Sequence, residues 1–234
     1  MYKRVLLKLS GEALADKEST FNTAIMADLA EQLKKIIANG TEVAIVVGGG
    51  NIMRGKFAAA MNLPRVEADK MGMLGTIINA LALKGAFNNS GLKAEVQSAI
   101  EMDRVCELVN HQKALELMQQ GTVIIYGGGT NNPYFSTDTC AALRACEIGC
   151  DAILMAKNNV DGVYNKDPKN NPDAVKYDEL TYMDMLQQNL QVMDATASSL
   201  CMDQDIETIV FNMNNIENIS KVINGEKLGT VIRR

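Results

Sequence analysis

Histidine and tryptophan are almost missing from this sequence. There is one histidine, His111, and no tryptophan among 234 residues. A metal or catalytic site built on several histidines is excluded, and any imidazole chemistry must rest on that one residue. It lies in the polar stretch NHQKALE, which reads as the start of a surface helix. Proline is scarce, with 4 residues, and no low-complexity linker interrupts the chain, which argues against a disordered tail. No apolar run approaches the roughly 20 residues of a membrane span. The first residues, MYKRVLLKLSGE, carry only a short apolar stretch that Lys8 interrupts, unlike the core of a secretion signal. Positive charge is also short. The net charge is −5, which disfavours a nucleic-acid partner.

Five cysteines are present, Cys106, Cys140, Cys146, Cys150 and Cys201. The number is odd and no two stand as C-x-x-C, so they read as reduced thiols of a cytoplasmic protein. Cys146 and Cys150 stand four apart on an expected helix, a spacing suited either to two metal ligands or to two small core residues. What remains is ordinary globular composition: 47% hydrophobic and 22% charged residues, with a mean hydropathy of −0.04. The length fits one large α/β domain or two small ones sharing a cleft.

Apolar runs alternate with helical patterns along the whole chain. Strands are expected at Val5–Leu9, Glu42–Val47, Ala94–Ala99, Thr122–Tyr126, Asp151–Ala156, Glu207–Phe211 and Gly229–Ile232. Helices are expected at Met26–Ala38, Val66–Ala86, Asn110–Gln120 and Thr139–Ile148, with one more before each of the last two strands. The Val66–Ala86 helix is apolar nearly all round and is expected to be buried. The polar stretch Asn158–Asp178 reads as a mobile insertion. The alternation predicts a mainly parallel sheet with helices on both faces. Binding sites in such sheets lie beyond the C-terminal ends of the strands.

Three strand ends stand out. The first is Lys8-Leu9-Ser10-Gly11, where a lysine closes an apolar strand before a turn. The second is Gly48-Gly49-Gly50-Asn51, followed by Arg54. Glycines after a buried strand let backbone N–H groups approach an anion, and an arginine adds a bidentate phosphate donor. Gly50 to Lys56 fits the G-x4-G-K spacing of a P-loop, but Phe57 stands where a hydroxyl must ligate Mg²⁺, so that motif is rejected. The third is Gly127-Gly128-Gly129, which opens into a loop rich in Thr, Asn and Ser up to Asp138. Two glycine triplets, each after a parallel strand, point to an anion or nucleotide site. Later, Asp161-Gly162 reads as a hairpin turn. Tyr164 near Asp167 offers an aromatic and a carboxylate for a nucleoside. Asp69 reads either as a helix N-terminal charge or as a ligand contact.

These pieces resemble the bacterial UMP kinases of the amino acid kinase superfamily. The matching stretches are KRVLLKLSGEAL, VAIVVGGGNIMRG, ADKMGMLGTIINALAL, GGGTNNPYFSTDTCAALRACEIGCD, LMAKNNVDGVYNKDP and FNMNNIENISKVINGEKLGTVI, and they cover nearly all of the chain. The resemblance implies phosphoryl transfer from ATP to UMP with Mg²⁺. It also implies a three-layer αβα sandwich with a mainly parallel sheet, and a homohexamer. It implies one domain over 1–234, with roughly 1–150 binding UMP and 151–234 binding ATP. Carried over by motif, Lys8, Leu9, Ser10 and Gly11 hold the ATP phosphates. Gly49 touches UMP, and Gly50 and Arg54 meet the phosphates at the transfer point. Asp69 bonds the UMP ribose. Thr130, Asn131, Asn132, Pro133, Tyr134, Phe135, Ser136 and Thr137 wrap the uracil and acceptor end. Asn158, Tyr164 and Asp167 bind the ATP nucleoside. Lys8 and Lys157 are assigned to the transferring group and Asp138 to orienting Lys8 or a metal-bound water, with Asp194 a second candidate for that work. No side chain is assigned to hold the metal directly. The departures are small. Gly128-Gly129-Thr130-Asn131 replaces an Ala-Gly-Thr-Gly of many relatives, and Met155–Asn159 is one residue longer than in some. Two other readings remain: a sister kinase acting on a small acid, which needs no base-recognition loop, and a non-catalytic nucleotide sensor, which needs no transfer cations.

Overall fold

A computed structural model describes residues 2–16, 18–53, 60–190 and 192–234. Its centre is one nine-stranded sheet. The strands are β1 (Arg4–Leu9), β2 (Glu42–Val47), β3 (Ala94–Ser98), β4 (Glu107–Leu108), β5 (Val123–Gly127), β6 (Ala152–Lys157), β9 (Glu179–Thr181), β10 (Glu207–Asn212) and β11 (Thr230–Arg233). They lie in the order β4-β3-β5-β2-β1-β6-β10-β11-β9. Every pairing is parallel except β10 with β11. The first strand in sequence, β1, is central and joins the two halves of the chain, pairing β2 on one side and β6 on the other.

The helices are α1 (Thr23–Ala38), α2 (Arg65–Asn89), α3 (His111–Gln119), α4 (Thr137–Ile148), α5 (Tyr182–Gln187), α6 (Ala195–Asp203) and α7 (Asn218–Ile223). Strand side chains alternate between faces, and the two cores follow that alternation. Val5, Leu7 and Leu9 of β1 pack with α1, α2 and α7. Leu6 packs on the opposite face with α3, α4, α5 and α6. The result is the expected three-layer sandwich.

Several expectations shift. Asn22 caps α1 through the Ile25 amide, so that helix starts before Met26. Ser136 caps α4 through the Asp138 and Thr139 amides, so α4 starts at Thr137 rather than Thr139. The long helix α2 is not buried all round. Gly75, Ile77, Ala80, Leu83 and Phe87 face the core, while Met71, Leu74, Ile78 and Leu81 are exposed. The stretch read as a mobile insertion holds a hairpin, β7 (Val163–Tyr164) with β8 (Lys176–Tyr177). Asp161-Gly162 precedes that hairpin and is not its turn. Gly162 is needed for close approach: a Cβ there would lie 2.6 Å from Thr230 Oγ1, the hydroxyl that accepts from the Val163 amide. Among the described residues, no helix is long and apolar enough to cross a membrane.

Candidate active site

The first glycine triplet, Gly48–Gly50, sits where backbone meets backbone. A Cβ on Gly49 would lie 2.7 Å from the carbonyl oxygen of Gly72 in α2, closer than real Cβ atoms come, so only glycine lets α2 approach the end of β2. A pair of side-chain amides holds this loop. Asn79, fully buried in α2, donates to Gly48 O at 2.6 Å and exchanges bonds with the Asn51 side chain at 2.7 and 3.0 Å. The sequence reading missed Asn79. A polar residue on the core stripe of an apolar helix was the signal available for it, since a buried amide needs partners.

Sheet parity assembles the cationic centre. Lys8 pairs in register with Met155, and both lie on the face that α4 covers. Lys157 follows two residues later on β6, and so on the same face. The first turn of α4 brings in Asp138, whose Oδ1 lies 2.7 Å from Lys8 Nζ, with side chains only 17% and 12% exposed. That contact is an ion pair without hydrogen-bond alignment. Lys157 Nζ donates to the Val192 carbonyl at 3.0 Å. Burial pulls the Lys157 ammonium below its ordinary lysine value. The Lys8 charge adds to this and Asp138 opposes it. Lys8 is thereby held in a largely buried ion pair rather than in solvent.

Two cavities flank this centre. The first, about 340 Å³, is walled by Gly49 and Gly50, by Asp69, Met73 and Thr76 of α2, and by Asn132, Phe135, Ser136 and Thr137. The second, about 440 Å³, is lined by Lys157, Gly162, Tyr164, Asp167, Asn189 and Val210 among others. Asp69 reaches the 130–137 loop directly: its Oδ2 accepts from the Tyr134 amide at 2.8 Å. Asp194 anchors that loop from below, accepting from Ser136 Oγ and from Thr139 Oγ1 at 2.9 Å, and capping α6 through Ala197 N. Burial alone would raise the Asp194 carboxyl, but the bonds from Ser136, the Ala197 amide and Thr139 outweigh it and hold the group below its ordinary value.

A sequence model of the amino acid kinase family matches residues 3–212. The chain belongs to the amino acid kinase family. A uridylate kinase from Pediococcus pentosaceus is 50% identical over 233 residues, 99% of this chain and 97% of that protein. The crystal structure of a UMP kinase from Bacillus anthracis superposes with a TM-score of 0.95 at 41% identity, covering 99% of this chain and 96% of that one. One from Ureaplasma parvum gives 0.94 at 41% identity over 100% of both chains. A uridylate kinase from Archaeoglobus fulgidus gives 0.74 at 31% identity, covering 97% and 99%.

Against this amino acid kinase frame, the expected residues sort themselves. Lys8, Asp138 and Lys157 come together. Gly49, Gly50, Asp69, Asn132, Phe135, Ser136 and Thr137 line one cavity, and Tyr164 and Asp167 the other. Thr130 and Asn131 instead line a separate depression with His111 and Arg144. Pro133 and Tyr134 line neither cavity, and Tyr134 is 64% exposed. Leu9 is fully buried in the core, which leaves only its backbone for a ligand. Ser10 spends its hydroxyl capping the short turn Gly11–Leu14. Asn158 is exposed and lies beside the second cavity rather than in its wall. Asp194 holds the acceptor loop, and its bonds do not go to Lys8. Arg54 lies outside the described residues, as do Lys56 and Phe57. His111 is exposed, as expected. Cys140, Cys150 and Cys201 are buried, whereas Cys106 and Cys146 are partly exposed. Among the described residues, no three His, Cys, Asp or Glu side chains form a metal cage, so Cys146 and Cys150 do not form part of one. Among the described residues, Asp138 Oδ1 is the carboxylate oxygen paired with Lys8, which suits a cation that arrives on a nucleotide better than one caged by protein.

Proposed function

We propose that the chain transfers the γ-phosphoryl group of ATP to UMP, giving ADP and UDP. The observation that carries this reading is the Lys8–Asp138–Lys157 cluster at the C-terminal ends of β1 and β6, between two cavities of nucleoside size. The first cavity takes UMP, with Asn132, Phe135, Ser136 and Thr137 toward the base and Asp69 toward the ribose. The second takes the ATP nucleoside between Tyr164 and Asp167. The sheet therefore divides into an acceptor half, roughly 1–150, and a donor half, roughly 151–234. The names of the relatives, uridylate and UMP kinases, support the choice of acceptor.

A phosphate oxygen of UMP attacks the γ-phosphorus in line, and the bond from that phosphorus to the β-bridging oxygen breaks as ADP leaves. The attacking oxygen is already ionised near neutral pH, so no general base is required, consistent with a chain holding one histidine. What the site supplies is position and positive charge. Lys8 and Lys157 face the oxygens of the transferring group. The Gly49 and Gly50 amides and Arg54 offset the charge of the phosphates. Asp138 fixes the Lys8 ammonium. A Mg²⁺ ion carried by the nucleotide would supply further charge neutralisation, and Asp138, the carboxylate paired with Lys8, would be available to it.

A homohexamer in the cytoplasm completes the proposal. The exposed Met71, Leu74, Ile78 and Leu81 stripe on α2 is an apolar face suited to a subunit contact, and the free thiols suit a reducing compartment. Mass measured in solution tests the assembly. ADP release with Mg²⁺-ATP and UMP, CMP, dUMP, N-acetylglutamate, aspartate or carbamate tests the reaction. Turnover with UMP alone is expected. Turnover with a small acid would overturn the acceptor assignment, and ATP binding without turnover would support a sensor.

A further inference from the structure

The acceptor loop carries a contact that the mechanism does not use. Tyr134 stands at the loop tip with φ of 73°, a left-handed backbone that costs a bulky residue free energy and persists only where its surroundings impose it. Its ring does not enter the cavity. It lies outside, under the guanidinium of Arg65, whose Cζ is 4.9 Å from the ring centroid. Arg65 opens α2 and also reaches Asp69 one turn later, Nε to Oδ2 at 3.5 Å. That same oxygen accepts the Tyr134 amide. One cation thus touches both the aromatic tip of the loop and the carboxylate that pins the loop backbone. The next three residues, Phe135, Ser136 and Thr137, line the acceptor cavity.

We propose that Arg65 is a positioning residue for the acceptor: its contacts with Tyr134 and Asp69 clasp the 130–137 loop against α2 and so set the cavity wall and the Asp69 carboxylate together. The inference rests on the UMP-acceptor reading. Arg65 itself is 66% exposed at its side chain and lies outside the cavity lining, so it acts through the loop. Loss of the clasp leaves Lys8 and Lys157 untouched. The consequence falls on acceptor binding and spares the transfer step.

The test is a cycle of Arg65→Ala, Tyr134→Ala and the double variant, with Arg65→Lys as the conservative change. Arg65→Ala should raise the KM for UMP by about fivefold, the size expected for an exposed cation–ring contact plus an exposed ion pair. The kcat and the KM for ATP should stay within about twofold, since the lysine centre is unchanged. Arg65→Lys should recover part of the loss. The double variant should lose less than the product of the two single losses, because the cation–ring contact is removed either way and only the Arg65–Asp69 pair is lost in addition. An unchanged KM for UMP, losses that multiply in the double variant, or an equal fall in kcat would overturn the proposal. Amide hydrogen exchange at Tyr134 in the ligand-free protein gives a readout independent of the reaction. Faster exchange in Arg65→Ala supports the clasp and unchanged exchange rejects it. If the parent does not turn over UMP, the acceptor reading fails, and the exchange result still decides whether Arg65 clasps the loop.

Discussion

The two cavities are built by different means. The acceptor cavity has walls of packed backbone: the Gly48–Gly50 loop against α2, locked by the buried Asn79 amide and the half-buried Asn51 amide. The donor cavity is walled on its outer side by the short β7–β8 hairpin and its turn. That hairpin is fastened by surface bonds such as Tyr164 to Asp161 at 2.6 Å and Lys166 to Asp173 at 2.6 Å. Close packing resists any change of volume, whereas exposed polar bonds contribute little each. The acceptor side should therefore be intolerant of substitution and the donor hairpin tolerant, with the lysine centre between them more sensitive than either.

The largest effect belongs to that centre. Lys8→Ala should lower kcat by about a hundredfold to a thousandfold, the range for removing a single charge-stabilising donor, with only modest loss of UMP affinity. Turnover within a few-fold of the parent would remove Lys8 from the mechanism. Next comes the acceptor wall. Gly49→Ala places a Cβ 2.7 Å from Gly72 O and should cost about 1–3 kcal/mol of stability by overpacking, read by urea unfolding, together with a raised KM for UMP. A fully stable Gly49→Ala protein would show that the two cavities do not differ in rigidity.

A pH profile separates the two lysines. Because burial lowers the Lys157 ammonium, it loses its proton as pH rises, at a pH below that of an ordinary lysine. The kcat should fall on the alkaline side by about tenfold per pH unit beyond that point, and Lys157→Arg should shift the fall to higher pH. A flat alkaline limb would assign the second cation elsewhere. The smallest effect should come from the donor hairpin. Tyr164→Phe removes the hydroxyl that holds the Asp161 carboxyl below its ordinary value. The KM for ATP should change by less than about twofold, as for other exposed contacts, while carbon NMR shows the Asp161 carboxyl titrating at higher pH. A large loss of ATP affinity would mean that this bond organises the donor cavity after all.

Much of this was legible because it is local. Continuous apolar runs marked strands buried on both faces, and the glycines after β2 and β5 marked the sheet edge where the first cavity opens. Lys8 at the end of a strand was visible as an oddity. The caps were less so: Ser136 and Asn22 each extended a helix beyond its apolar pattern, since a cap is set by a side chain bonding to backbone rather than by periodicity. The exposed face of α2 was misread because apolar content alone does not say which side a helix buries. Asp161-Gly162 was misread as a turn because the same dipeptide serves where a neighbouring hydroxyl, here Thr230, crowds the backbone.

The sequence by itself determined the alternation of strands and helices, the parallel sheet and the residue types at its functional edge, because these follow from short-range periodicity and backbone freedom. Tertiary structure alone decided that Lys8 faces Asp138 rather than solvent, and that Asp194 holds the acceptor loop. It alone decided that Asn79 locks the glycine loop and that Arg65 meets Tyr134. Those pairs are separated by tens of residues. Their distances depend on strand register and on how far each helix can approach the sheet, and both are fixed only when the whole core packs.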